Sequence, residues 1–314
     1  MKRKEYVVMA NKHEEITIQK QPFTKILAAT VKTGIIKSNL IPMFAGLTLA
    51  IYTYDLDLID QIPNILFALI GSILVMGAAG AFNNLYDRDI DAIMERTKQR
   101  PTVTNEISFS KALWLAIIMT IAGVISLALA SPLAAIIGFA GLFLYVVPYT
   151  MWSKRRTVYN TEIGSLSGAT PPLIGWAAIN PEITHPAVLG LFIITIIWQM
   201  PHFYAIGIRR HDEYKRAGVP MLPVVKGIKR TYWQTNAYLV LLILTSFLFS
   251  SLSMGLTLVS FLLGGGWLAL SIYGYHKMDP EKWAKTMFIY SLLHMTILFS
   301  TVIVYSLVGT IFNL

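Results

Sequence analysis

The sequence predicts an all-α, polytopic membrane protein: a bundle of about nine transmembrane helices with two functional cytoplasmic loops. Three observations lead there. Of 314 residues, 55% are hydrophobic and only 14% charged, whereas soluble domains carry about a quarter charged residues. The apolar residues are gathered into runs near the ~20 residues a helix needs to cross ~30 Å of hydrocarbon. The basic residues occupy alternate links between those runs.

Taken in order, the apolar runs fall at 35–54, 64–86, 111–130, 133–152, 161–180, 186–208, 232–251, 255–275 and 286–309. Hydrocarbon offers no water to unpaired peptide groups, so segments this apolar are expected to be helices. The start, Met1-Lys2-Arg3-Lys4-Glu5, lacks the apolar core and small-residue cleavage site of a signal peptide. Residues 1–28 therefore read as a polar cytoplasmic segment, and 29–314 as a single transmembrane domain. There is no cysteine, which excludes disulfides and thiolate metal sites.

The net charge of +9 does not point to nucleic acid, because of where the bases sit. All 26 Lys and Arg lie up to Lys37, in 87–111, in 153–157, in 209–230 or in 277–285. The intervening links, around Asp55–Asp60, Ser131, Asn180–His185, Ser250 and the carboxyl terminus, hold none. By the positive-inside rule the amino terminus is cytoplasmic. An odd number of crossings then places the carboxyl terminus outside the cell membrane, with lipid as the surrounding partner.

Two links on the basic side are long, and long loops in compact proteins are often functional. The first begins Asn83-Asn84-Leu85-Tyr86-Asp87-Arg88-Asp89-Ile90-Asp91. Asn83, Asp87 and Asp91 recur every four residues, so on a helix they share one side. Three hard oxygen donors suit Mg²⁺. Just downstream stand Arg96, Lys98 and Arg100. Metal-binding acids beside phosphate-binding bases are what a Mg²⁺–diphosphate complex requires. The run also grows directly out of a membrane helix, where polar groups are costly and mark function. The second loop, from Arg209-Arg210-His211-Asp212-Glu213-Tyr214 to Pro223, again sets adjacent acids among bases. Asp212 and Glu213 are its candidate metal or catalytic carboxylates.

With both loops in view, the chain resembles the UbiA superfamily of intramembrane prenyltransferases, and within it the branch that farnesylates protohaem IX. The first acidic motif matches at Asn83, Asp87 and Asp91. The strings Met94-Glu95-Arg96-Thr97, Arg100-Pro101, Met200-Pro201-His202-Phe203 and Ala217-Gly218-Val219-Pro220-Met221-Leu222-Pro223 match the haem branch. The resemblance runs from about residue 30 onward. One departure is Arg209, four residues before Glu213, where many superfamily members carry the first acid of a second Asp-x-x-x-Asp motif. The haem branch instead has an acid followed by tyrosine, as in Glu213-Tyr214.

The resemblance implies nine helices around a central cavity capped by the two loops, with Mg²⁺ as cofactor. It implies farnesyl transfer from farnesyl diphosphate to a vinyl group of protohaem IX, with water adding to give haem O. A complex with a downstream haem-modifying enzyme is compatible with such a product. His202, Tyr214, Arg209 and Arg210 become candidate haem contacts, and Lys154, Arg155 and Arg156 candidate partners for its propionates. Lys37, Tyr149, Lys154 and Asn160 are candidate cavity-lining groups, and His294 is expected to bond helix to helix. The rival readings are a sister enzyme prenylating an aromatic quinone precursor and, more distantly, a cation-coupled transporter. The transporter predicts acids near the bilayer midplane, whereas these lie at helix ends.

Overall fold

A computed structural model describes residues 22–312, which are helical apart from turns and short links. Most of the polar amino-terminal segment expected over 1–28 lies outside the described residues. The helices are α1 (Phe23–Thr30), α2 (Thr33–Thr53), α3 (Ile62–Tyr86), α4 (Arg88–Ile93), α5 (Phe109–Ala130) and α6 (Pro132–Arg156). They continue as α7 (Asn160–Gly168), α8 (Thr170–Ala177), α9 (Pro186–Arg209), α10 (His211–Arg216), α11 (Leu222–Thr245), α12 (Met254–Lys277) and α13 (Pro280–Phe312).

Eight of these, α2, α3, α5, α6, α9, α11, α12 and α13, are long and apolar enough to cross a bilayer. The run expected at 161–180 is not one straight helix but the pair α7–α8. Pro171 and Pro172 open α8, and proline lacks the N–H that would carry α7 onward. The pair still traverses the bundle. At one end Asn160 Nδ2 donates to the Pro220 carbonyl at 3.2 Å. At the other, Trp176 Nε1 donates to the Glu182 carbonyl at 3.1 Å, and Tyr54 OH to the Glu182 carboxylate at 2.9 Å.

Two apolar cores share α2 and α8 as their common wall. Leu49, Trp176, Leu191, Leu239, Trp267 and Phe299 belong to one; Met43, Leu47, Val75, Leu127 and Ile174 belong to the other. The wall is thin because of Gly175, where a Cβ would lie 1.9 Å from the Met43 carbonyl oxygen. The outer surface is apolar too. On α5, Trp114, Ile118, Ile121, Ile125 and Leu129 form one exposed stripe, the face a helix turns to hydrocarbon. The chain is thus a multi-pass membrane protein.

At one end of the bundle the two long loops pack on each other. Ile90 and Met94 of the first meet Val219 and Met221 of the second in a small buried cluster, with Tyr214 and Ala217 against it. This contact, which no local pattern announces, gathers the loop residues over the ends of α3 and α6.

Candidate functional site

The site is built from the last turn of α3 outward. Asn84 donates to the carbonyls of Ala29 (3.1 Å) and Thr30 (2.8 Å), satisfying acceptors that the end of α1 leaves free. The linker so held passes very close to α3, because a Cβ on Gly80 would stand only 2.8 Å from the Val31 carbonyl oxygen. The next residue, Lys32, adopts the left-handed conformation, φ 57° and ψ 55°. That conformation is unfavourable for a side-chain-bearing residue and concentrates at functional sites. It directs the Lys32 ammonium onto Asn83 Oδ1.

Asn83 Nδ2 donates to Asp87 Oδ2 at 2.8 Å and to Thr150 Oγ1 at 2.9 Å. Asp91 N donates to the Asp87 carbonyl at 2.8 Å, keeping one helical turn between the two acids. Asn83, Asp87 and Asp91 are all buried. Each faces a cation or amide. Lys154 pairs with Asp87 Oδ2, Arg155 reaches Asp87 Oδ1 at 3.3 Å, and Arg100 pairs with Asp91 Oδ2. Arg100 turns back because Thr97 Oγ1 donates to the Asp91 carbonyl at 3.0 Å, closing the loop between them. Arg155 also holds both oxygens of Asp89 at 2.7 Å, and these bonds hold the Asp89 carboxyl down to about 2.

Thr150 reaches Asn83 because α6 loosens into a π-helix over Tyr145–Ser153. Such wider turns are rare and frequent at functional sites. In the same stretch Tyr149 lies over Gly164 of α7, where a Cβ would meet its ring at 2.7 Å. Burial, then the nearby Arg100 and Lys154, push the Lys32 ammonium well below the usual lysine value, against the pull of Asp91 and Asp87. Lys32, Arg100, Lys154 and Arg155 thus gather around Asn83, Asp87, Asp89 and Asp91, four basic groups to three acids. A polyanion is the natural complement.

In the second loop, the two adjacent acids differ. Asp212 is exposed and pairs with His211 at 2.9 Å, a hydrogen bond that lowers its carboxyl from the ordinary value. Glu213 is buried; its Oε1 accepts from Arg210 at 2.8 Å, and its Oε2 has no partner. Tyr214 packs on the cluster that joins the loops.

Other residues singled out in the sequence lie elsewhere. Lys98 pairs with the exposed Glu95, Arg96 and Lys37 are exposed, and Asn160 is spent on the backbone of Thr157 and Pro220. His202 bonds Ser291 Oγ at 2.7 Å and stacks on Trp198 at 4.6 Å. Arg209 lies over Phe288, 4.9 Å from the ring centre. Both therefore pack on α13 and make none of the contacts that join the acidic pocket. The helix-to-helix bond expected of His294 is corrected: the ring is buried beside Trp267, and neither nitrogen has a partner. Lys32 and Thr150 were not legible as site residues. The only signal for Lys32 was a base set just before the first membrane run, which topology alone also demands.

Among the described residues no three acids or histidines converge on one point. A metal here would take Asn83 with Asp87 and Asp91, and complete its shell with phosphate and water oxygens. That is how Mg²⁺ usually binds, so the donor set fits.

Residues 39–293 match the model of the UbiA prenyltransferase family. The chain is 72% identical to protoheme IX farnesyltransferase 1 of Bacillus cytotoxicus, over 96% of this chain and 98% of that protein. It is 67% identical to protoheme IX farnesyltransferase 2 of Lysinibacillus sphaericus, over 92% of each. A solved UbiA homolog from Archaeoglobus fulgidus, bound to GPP and Mg²⁺, superposes with a TM-score of 0.64 at 14% identity, covering 88% of this chain and 99% of that one. Sequence and fold together make this chain a member of the UbiA prenyltransferase family, in the group of the protoheme IX farnesyltransferases.

Proposed function

We propose that the chain is a prenyltransferase that moves the farnesyl group of farnesyl diphosphate onto a vinyl group of protohaem IX, with water adding, to give haem O and diphosphate. The 72% identity to a protoheme IX farnesyltransferase along nearly the whole chain carries this reading. The cation-rich pocket supplies its chemistry. Heterolysis of the allylic C–O bond leaves the electron pair on diphosphate, and catalysis consists of stabilising that charge as it develops. Lys32, Lys154 and Arg100 are already gathered where they would receive it.

In the structure these cations rest on Asn83, Asp87 and Asp91. Their transfer to an arriving diphosphate frees the oxygens that would hold Mg²⁺. A bound Mg²⁺ would supply Lewis-acid neutralisation of the leaving group. Glu213, with its unpartnered oxygen, is the better second-loop ligand than the exposed Asp212. The surrounding hydrocarbon strengthens each interaction and keeps bulk water from the farnesyl cation. The loop end faces the cytoplasm of the cell membrane in this reading. There the diphosphate is accessible, while the farnesyl tail and the haem ring enter from lipid.

The test is turnover by purified protein with protohaem IX, farnesyl diphosphate and Mg²⁺, with products read by mass. A hydrated, farnesylated haem that vanishes with chelator is expected. Prenylation of an added hydroxybenzoate or naphthoate, with no haem product, would move the acceptor to the sister branch and overturn the haem assignment.

A further inference from the structure

The run Lys154-Arg155-Arg156 closes α6, and topology alone accounts for three bases in a cytoplasmic link. Arg155 does something more specific. Its guanidinium donates to Asp89 Oδ1 and Oδ2 at 2.7 Å each, to Asp87 Oδ1 at 3.3 Å and to the Tyr86 carbonyl at 3.1 Å. It also lies 4.8 Å from the centre of the Tyr86 ring. One side chain from α6 thus grips Tyr86, Asp87 and Asp89, at the corner where α3 ends and α4 begins. That corner turns at Asp87, whose backbone, φ −88° and ψ 12°, is shared by neither helix.

The consequence lies in how Asp87 divides its two oxygens. Oδ1 faces Arg155, while Oδ2 faces Asn83 and Lys154. Asn83 and Lys154 hold Oδ2 from one side, and Arg155 holds the other oxygen from the opposite side. Anchoring one oxygen fixes the plane of the carboxylate and so the direction in which its other oxygen meets the pocket. We propose that Arg155 is a positioning residue: braced on Asp89 and Tyr86, it holds Asp87 with Oδ2 presented to the diphosphate–metal pocket, and it touches neither substrate. Lysine does not replace it, because only the planar fork binds a carboxylate through two parallel bonds while stacking on an aromatic ring. The role extends to Asp89, which stands outside the Asn83–Asp87–Asp91 spacing and has 65% of its side chain exposed. It serves as the counterweight that sets the guanidinium.

This inference rests on the diphosphate-transfer reading above, and its test separates the two. Wild type, Arg155→Lys and Asp89→Asn are compared by titrating Mg²⁺ into protein with inorganic diphosphate, and by turnover at varied farnesyl diphosphate, Mg²⁺ and protohaem IX. In both variants the Mg²⁺ concentration for half-binding is expected to rise about tenfold, the KM for farnesyl diphosphate to rise with it, and the KM for protohaem IX to stay. Because both act through one brace, the double variant is expected to be no worse than either single one. A raised haem KM in Arg155→Lys with unchanged Mg²⁺ binding would make Arg155 a propionate contact and overturn the proposal. Unchanged Mg²⁺ binding in both variants, or additive losses in the double variant, would overturn it as well. Should Arg155→Lys fail to fold, Asp89→Asn alone decides, since an unshifted Mg²⁺ titration there removes the brace. A wild type that binds Mg²⁺ and diphosphate but never farnesylates haem would sink only the choice of acceptor.

Discussion

The Lys32 ammonium rests on the side-chain oxygen of Asn83, 51 positions further along the chain. The contact joins the linker before the first membrane span to the end of the second. It also places a base against the first residue of the acidic motif, where the sequence shows only acids and amides. Lys32→Gly separates the uses of this residue. Glycine accepts a φ of 57° without strain, so stability in detergent should change by no more than about 1 kcal/mol. The kcat/KM for farnesyl diphosphate should nevertheless fall by about a hundredfold, the scale of one lost charge-stabilising donor. Thermal unfolding and steady-state kinetics on one preparation check both halves.

Gly80→Val probes the same relationship from the other side. A Cβ there would press on the Val31 carbonyl oxygen, and backbone cannot swing away. The linker must move, taking Lys32 with it. The expected outcome is a rise in KM for farnesyl diphosphate like that of Lys32→Gly, accompanied by a measurable drop in melting temperature.

Asp87 and Lys154 form a largely buried pair, with the carboxylate wholly inaccessible and the lysine side chain 15% exposed. Asp87→Asn should abolish turnover and also destabilise, since it strands a buried ammonium at a cost of about 3–5 kcal/mol. Adding Lys154→Met should return much of that stability and none of the activity. Recovery of turnover in the double variant would show that Asp87 acts only as a counter-ion.

The second loop offers a contrast between neighbours. Asp212→Asn should leave turnover within about twofold of wild type, because its carboxylate faces water and surface pairs contribute little. Glu213→Gln should cost on the order of a hundredfold and raise the Mg²⁺ requirement. Equal effects would mean that the buried oxygen of Glu213 is not a ligand.

The Asp89–Arg155 pair predicts a pH dependence. Its hydrogen bonds from Arg155 lower the folded-state value of Asp89 from 3.8 to about 2. The stabilisation is therefore complete above about pH 4 and is lost as pH falls through about 2. Exposure of Asp89 keeps it below about 1 kcal/mol. Unfolding curves of wild type and Asp89→Asn should differ slightly at pH 6 and converge towards pH 2.

Spans and their order could be read from residues alone. Apolar length and the alternation of basic links are local properties, and membrane physics acts on them segment by segment. The i, i+4, i+8 spacing of Asn83, Asp87 and Asp91 is likewise local; all three are buried, but the helix expected to carry them breaks at Asp87, where α3 ends and α4 begins. The run at 161–180 shows where local reading stops. Its apolarity announced a crossing, but the break before Pro171 makes it two short helices.

The rest depended on contacts between distant segments. Composition and periodicity determined that this chain crosses a membrane repeatedly and carries metal-type oxygens at a helix end. Only the tertiary structure decided which cations serve them. Lys32, Arg100, Lys154 and Arg155 come from three separate stretches: Arg100 reads as a phosphate-binding base, Lys154 and Arg155 as partners for propionates, and Lys32 only as a topology signal. Tertiary packing likewise turned Glu213 inward and Asp212 outward, and set His202 against Ser291. A charge's role depends on the partner that folding brings within about 3 Å. That partner is chosen by the loop cluster of Ile90, Met94, Val219 and Met221 and by the close approach at Gly80, neither of which leaves a periodic trace in the sequence.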